Sequence, residues 1–226
     1  MIKTHPTHAM LRAFAADELS LPLAVGVSAH CEFCPECAAS LRACEEELAR
    51  QYLEPAEDQP ATMSEGMPVA LDAMLAGILQ QPVATVAALS QLAPPQPELQ
   101  VAGQSYRLPR VLARHHAPKW RHIGAIRQHS LPLDELGARA SLLHIEAGGR
   151  IPEHTHQGYE LTLLLAGTIE DGDTCYQAGD FIWRDASHAH SPHTPDGCLC
   201  YTVQDAPVQF TKGLSRLLNG ITHRLY

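Results

Sequence analysis

Residues 148–167 read GGRIPEHTHQGYELTLLLAG, and this stretch decides how the larger part of the chain folds. Gly148 is followed after five residues by His154, then by His156 after one, Glu160 after three and Gly167 after six. On an extended strand the two histidines project to one side, and a residue four further on keeps that parity. Two imidazoles and a carboxylate are therefore predicted to point into one interior. A fourth donor is expected from a later strand, and His190 in GDFIWRDASHAHSP is placed to supply it. Around this segment run ARASLLHIEAG, YELTLLLAG, TIEDGDTCYQAGDFIW and GCLCYTVQD, short β-like stretches separated by Gly, Asp and Pro. Turn signals about every ten residues predict a compact all-β sandwich or barrel.

Upstream the pattern is helical. Thr7 is positioned to cap a helix running to about Glu18, with Met10, Leu11 and Phe14 along one face. Ser20 opens LPLAVGVSAHCEF, where Pro22 is tolerated in the first turn, and Pro35 begins PECAASLRACEEELARQYL. In that third helix Leu41, Cys44, Leu48 and Leu53 roughly keep helical spacing, while Glu45, Glu46 and Glu47 form a solvated acidic face. Residues 54–66 are linker-like in composition. MPVALDAMLAGILQ follows at 67–80, a short amphipathic helix with Leu71, Met74, Leu75, Ile78 and Leu79 at spacings of three and four. Residues 81–96 are rich in Ala and Pro and read as a second linker, which divides the chain into a helical domain at 1–80 and a β domain at 97–226.

Composition narrows the function. The 226 residues are 45% hydrophobic and 18% charged, enough for one large domain or two small ones. No apolar run approaches the length of a membrane-spanning helix, and MIKTHPTHAMLRAF lacks the layout of a secretion signal. A cytoplasmic protein is expected. Residues 1–80 hold four Lys/Arg against twelve Asp/Glu, and the remainder twelve against thirteen, so nearly all of the net charge of −9 sits in the first third. Such a surface is a poor nucleic-acid binder and a suitable one for a basic protein.

Seven cysteines make an odd number, and four of them crowd into HCEFCPECAASLRAC, which points to a metal or redox device rather than a disulfide framework. His30, Cys34 and Cys37 stand as H-x3-C-x2-C, with His5 25 residues upstream of His30. Tetrahedral zinc takes four N or S donors, and these four residues are candidates to hold one ion, with His8 as the competing fourth ligand. A small helical unit has little core, so the metal would stabilise it directly. Cys31 and Cys44 read as helix-packing residues close enough for redox exchange. In the β part, His154, His156, Glu160 and His190 form a set that accepts Zn, Mn, Fe or Ni. His188 and His193 flank it as outer partners or exposed spares, whereas His115, His116, His122, His129 and His144 read as surface or internally satisfied residues. Cys198 and Cys200 share one face of a strand, either as small buried apolar groups or as a thiol pair beside the metal that reacts with an oxidant.

An amino-terminal His followed by H-x3-C-x2-C on short helices resembles the zinc-binding anti-sigma domain that holds extracytoplasmic-function sigma factors inactive. The resemblance implies that His5, His30, Cys34 and Cys37 are zinc ligands and that residues 67–80 are the last helix of the sigma-binding domain. A greasy helix beside an acidic body suits a groove between basic lobes. The pattern from Gly148 to Gly167 resembles the cupin signature, a small jelly-roll barrel. Gly179 and Asp180 open its second motif and His190 falls at that motif's histidine. Asp185, Ser187 and Thr194 replace its usual Pro, Gly and Asn, which blurs the turn and leaves all four ligand positions filled. The two modules in this order resemble the ChrR-type anti-sigma factors. What that implies is a multidomain protein, a zinc-binding helical bundle followed by a cupin β-barrel, with zinc at both sites. It would be a cytoplasmic regulator, not an enzyme, that sequesters an RpoE-like sigma factor without touching nucleic acid or membrane. It would release that factor when singlet oxygen or organic hydroperoxides appear. The alternative from a different class is a metal-dependent cupin enzyme, such as a small dioxygenase, with a helical partner domain.

Overall fold

Three helices open the chain in the computed structural model, which describes residues 1–53, 69–80, 98–115 and 117–220. Helix α1 spans His8–Ala15, and the Thr7 hydroxyl accepts the Met10 amide at 3.2 Å as its cap. It stops three residues before Glu18 because the chain turns through Asp17, which has φ of +58°. Helix α2 spans Leu21–Phe33 with Pro22 in its first turn, and α3 spans Pro35–Leu53. Leu41 and Cys44 are buried on α3 as the spacing predicts, while Leu53 is exposed. Helix α4 spans Val69–Leu79 inside the predicted 67–80 segment. The linker segments expected at 54–66 and 81–96 lie outside the described residues.

Eleven strands follow among the described residues. They are β1 (Glu98–Val101), β2 (Gln104–Arg107), β3 (Arg121–Ile123), β4 (Ile126–Ser130), β5 (Arg139–Ile145), β6 (His154–His156), β7 (Glu160–Asp171), β8 (Thr174–Gln177), β9 (Phe181–Arg184), β10 (Cys198–Gln204) and β11 (Val208–Phe210). All of the pairings are antiparallel. One sheet runs β3-β4-β5-β10-β7-β8 with β9 also on β7, a ribbon pairs β6 with β11, and β1–β2 form a hairpin.

Residues Met1–Leu48 and Gln96–Tyr226 form one compact unit, and Ala49–Pro95 form another. Within the first unit, period-two alternation along β10 shows where the core lies. Cys198 and Cys200 join an inner cluster with Ile145, Leu164, Ile169, Tyr176 and Ile182. Leu199, Tyr201 and Val203 face the other way, into a core shared with Val25, Val27 and Ala29 of α2. The helix lies so close that a side chain at Gly26 would place its Cβ 2.6 Å from Leu161 Cδ2. The buried Tyr201 hydroxyl donates to the Pro22 carbonyl at 2.7 Å. Glu135 accepts the Leu21 amide at the start of α2, where the Ser20 side chain makes no capping hydrogen bond. The helical corner therefore has a core after all, borrowed from the outer face of the barrel.

Candidate metal centres

The amino-terminal centre is assembled at the junction of α2 and α3. His5 lies in the segment before α1, His30 in the last turn of α2, Cys34 at the end of that helix and Cys37 in the first turn of α3. One donor atom from each lies within 4.8 Å of the other three. His5 Nδ1 stands 3.5 Å from Cys34 Sγ and 3.4 Å from Cys37 Sγ. Around a tetrahedral zinc ion, nitrogen and sulfur donors sit about 3.6 Å apart. His30 is fully buried, and its Nδ1–H donates to the Gly179 carbonyl at 2.8 Å. That bond fixes the tautomer and leaves Nε2 with a lone pair. Among the described residues Nε2 has no hydrogen-bond partner. Burial lowers the His30 pKa to about 4, so the ring is neutral at physiological pH. An orphaned, neutral, buried imidazole nitrogen beside two sulfurs fits a metal and is costly without one. Burial, then the neighbouring Cys34, pushes the Cys37 thiol up, so serving as a ligand requires it to give up a proton. His8 is drawn elsewhere, with Nε2 3.8 Å from Cys44 Sγ.

The barrel centre is built differently from the single strand that the sequence suggests. His154 and His156 occupy β6, whereas Glu160 opens β7, and the chain turns between them. Parity along one strand is thus not what brings the carboxylate to the histidines. Asp205 makes the turn, accepting the Tyr159 amide at 2.7 Å. His156 Nε2 lies 3.3 Å from Glu160 Oε2 and 3.1 Å from His190 Nε2, and His190 Nε2 lies 3.9 Å from the same carboxylate oxygen. Nitrogen and oxygen donors around a tetrahedral ion are about 3.3 Å apart, so these spacings fit a shared cation. His154 joins them, its Nδ1–H donating to the Pro152 carbonyl at 2.9 Å and its ring 4.4 Å from that of His190. Burial, then the His190 ring, lowers both His154 and His156 to about 4. Both rings are neutral donors at physiological pH.

Outer partners of this centre escape a reading of the motif. His190 Nδ1 donates to Asp171 at 3.1 Å, and Gln204 donates to Glu160 Oε1 at 2.7 Å, leaving Oε2 for the centre. Strand parity offers a signal only for Gln204, which lies on the inner face of β10 with the C-x-C thiols. Those thiols are buried with the sulfurs 3.9 Å apart; their mutual hydrogen bond pulls the Cys198 pKa down and raises that of Cys200. His188 hydrogen-bonds Asp185 and Ser187, and His193 lies 3.6 Å from Glu170, both away from the centre. His144 is buried beside Tyr106, His129 faces the Lys119 carbonyl, His122 is exposed on β3, and His115 ends a 3-10 turn at Arg110–His115. His116 lies outside the described residues. A cavity of about 370 Å³ opens onto His154 and Glu160, walled by Ile126, Leu143, Ile151 and Phe210.

Comparison with known proteins places both halves. The ChrR cupin-like domain family matches residues 109–209, which include all four barrel donors. The anti-sigma-E factor ChrR of Cereibacter sphaeroides is 33% identical over 220 residues, 96% of each chain. A crystal structure of Rhodobacter sphaeroides SigE in complex with the anti-sigma ChrR superposes with a TM-score of 0.64 at 29% identity, covering 90% of this chain and 100% of that one. The likeness runs through helices and barrel alike, and the chain belongs to the ChrR family of anti-sigma factors, regulators rather than enzymes.

Proposed function

We propose that this protein is a cytoplasmic inhibitor of an RpoE-like extracytoplasmic-function sigma factor, held in shape by zinc and released by oxidants. The observation that carries the reading is the relationship to an anti-sigma-E factor over 96% of both chains, helical part included. Residues 1–80 form the sigma-binding domain, 81–96 the tether and 97–226 the cupin domain. The net charge of −8 over residues 1–80 favours a basic partner protein over nucleic acid. On α4, Leu71, Met74, Leu75, Ile78 and Leu79 are exposed, an apolar set suited to a groove in that partner. Among the described residues, no helix is long and apolar enough to cross a membrane.

His5, His30, Cys34 and Cys37 would hold a structural zinc ion that cross-links the amino terminus to the junction of two helices. His154, His156, Glu160 and His190 would hold the second ion, for which zinc is the choice in keeping with the first. Bound metal supplies a cross-link whose integrity depends on the chemical state of its ligands. The apolar cavity that reaches His154 and Glu160 suits entry of singlet oxygen or an organic hydroperoxide, and the buried Cys198–Cys200 pair lies in the same inner layer. A change there biases the attached helices toward a state that lets the sigma factor go. A swing from 1:99 to 99:1 bound requires about 5.5 kcal/mol of differential affinity.

Coexpression with a tagged RpoE-type sigma factor tests the proposal. The expected product is a one-to-one complex carrying about two zinc ions per inhibitor chain, which dissociates on treatment with an organic hydroperoxide. Failure of the chain to copurify with any such factor from its own genome sinks the inhibitor reading. A complex indifferent to hydroperoxide and to singlet oxygen sinks the sensing part alone.

A further inference from the structure

Behind the amino-terminal centre lies a set of contacts that joins the amino-terminal segment to the barrel. Asp180 is 0% exposed. Its Oδ1 accepts the Lys3 amide at 2.5 Å, the Thr4 amide at 2.9 Å and the Thr4 hydroxyl at 3.3 Å, while Oδ2 accepts the Gln177 amide at 2.8 Å. The Phe181 amide donates back to the Thr4 carbonyl at 3.0 Å. The two residues before His5 are thereby laid along the start of β9. One residue upstream, the Gly179 carbonyl takes the His30 Nδ1–H, and the Phe181 ring meets His30 edge-on at 5.7 Å. Gly179 has φ of +94°, and a Cβ there would stand 2.6 Å from Ile2 Cδ1 and 3.1 Å from Phe33 Cβ. The turn is fixed to β7 through Gly179 N to Leu164 O at 2.8 Å and Leu164 N to Asp180 O at 3.1 Å.

The other end of β9 reaches the barrel centre. Arg184 Nη2 donates to Asp171 Oδ2 at 3.4 Å, and the same oxygen accepts His190 Nδ1–H at 3.1 Å. Three residues of strand, Phe181 to Trp183, therefore separate the carboxylate that holds the His5 segment from the guanidinium that shares a carboxylate with His190.

We propose that the Gly179–Asp180 turn and β9 form a strap between the two metal centres. In it Asp180 positions His5, Gly179 positions His30, and Arg184 with Asp171 relays the state of His190. The inference rests on the two-zinc reading above. His5 is exposed and sits in a segment without helix or strand, so its place depends on what holds Lys3 and Thr4. A buried carboxylate with several N–H and O–H donors is a strong anchor, and its hydrogen bonds to backbone are of the charge-assisted kind. Loss of outer partners of metal ligands typically weakens metal binding by about tenfold to a hundredfold.

The test uses the full chain loaded with cobalt, whose sulfur-to-metal charge-transfer band reports only the thiolate centre. Decay of that band on mixing with EDTA gives the rate of metal loss. Thr4→Pro removes both Thr4 donors to Asp180, the amide and the hydroxyl, while every barrel residue is kept, and Asp180→Asn removes the charge. Each is expected to speed metal loss on the order of tenfold. Wild-type rates in Thr4→Pro overturn the positioning role even if Asp180→Asn does not fold. His190→Ala, which disables the barrel centre, is expected to change the rate several-fold in the wild-type background and to have no effect in Thr4→Pro. No effect in the wild-type background, or the same effect in both, overturns the relay. A chain that never develops the band overturns the thiolate-centre reading and the strap with it. That outcome is distinct from wild-type rates in a chain that binds cobalt.

Discussion

At the amino terminus four donors come from a loop segment, the end of α2 and the start of α3, with two sulfurs among them and His5 exposed. In the barrel four donors come from β6, β7 and the loop before β10, all nitrogen or oxygen, three of them buried. The first centre sits where short helices meet and borrow their core from the barrel; the second sits inside a sheet that has its own hydrophobic core. On the two-metal proposal, the difference teaches which of them a metal would build and which it would merely occupy. Removing the first should cost fold and partner together, and removing the second should cost response while the grip remains.

Breaking the first centre gives the largest effect. Replacing Cys34 and Cys37 together by Ser should remove one metal ion per chain, destabilise the helical corner by several kcal/mol and abolish sigma binding. Metal analysis with a pull-down checks it, and retained binding would erase the contrast between the centres. Glu160→Gln comes next. It should weaken metal binding in the barrel by about tenfold to a hundredfold, with sigma binding intact and induction by hydroperoxide blunted. A reporter that still induces fully in this variant would remove the barrel centre from sensing.

The comparison sharpens further at the seam between the two regions. Tyr201→Phe deletes the hydroxyl that reaches the Pro22 carbonyl of α2. A loss of about 1 kcal/mol in urea unfolding is expected. If helices and barrel unfold in one transition in the wild type, this variant should still show one, at lower urea. The smallest effect concerns His144, a buried barrel histidine outside both centres, whose pKa burial holds below the usual 6.5. Its folded pKa is depressed, so the unfolded chain binds the proton more readily, and stability present above pH 6.5 is lost on acidification. His144→Gln should unfold with a shallower dependence on pH between 7.5 and 5.5. An unchanged slope would place the acid sensitivity elsewhere.

The three opening helices were legible because their signals are local: Thr7 as a cap, Pro22 and Pro35 in first turns, and spacing of Leu41 and Cys44. Six of the eight candidate donors stood out for the same reason, since H-x3-C-x2-C and H-x-H-x3-E place them within a few residues of one another, while His5 and His190 lie farther along the chain. Glu160 was named for a reason the structure replaces. Parity along one strand suggested it, whereas a turn held by Asp205 delivers it from the next strand. Asp171 gave no signal, because its partner His190 lies 19 residues away across the barrel.

Sequence alone pointed to the types of element, to eight candidate donors and to the family resemblance, since most of these are written in periodicity, spacing or residue chemistry over short range, with His5 and His190 set farther off. Tertiary structure decided that α2 rests on the outer face of β10, that Gly179 orients His30 across 149 positions, and that Asp180 fastens the segment before His5. Those contacts join residues far apart along the chain. Burial and hydrogen-bond satisfaction select them only once both surfaces exist, so no local pattern announces them.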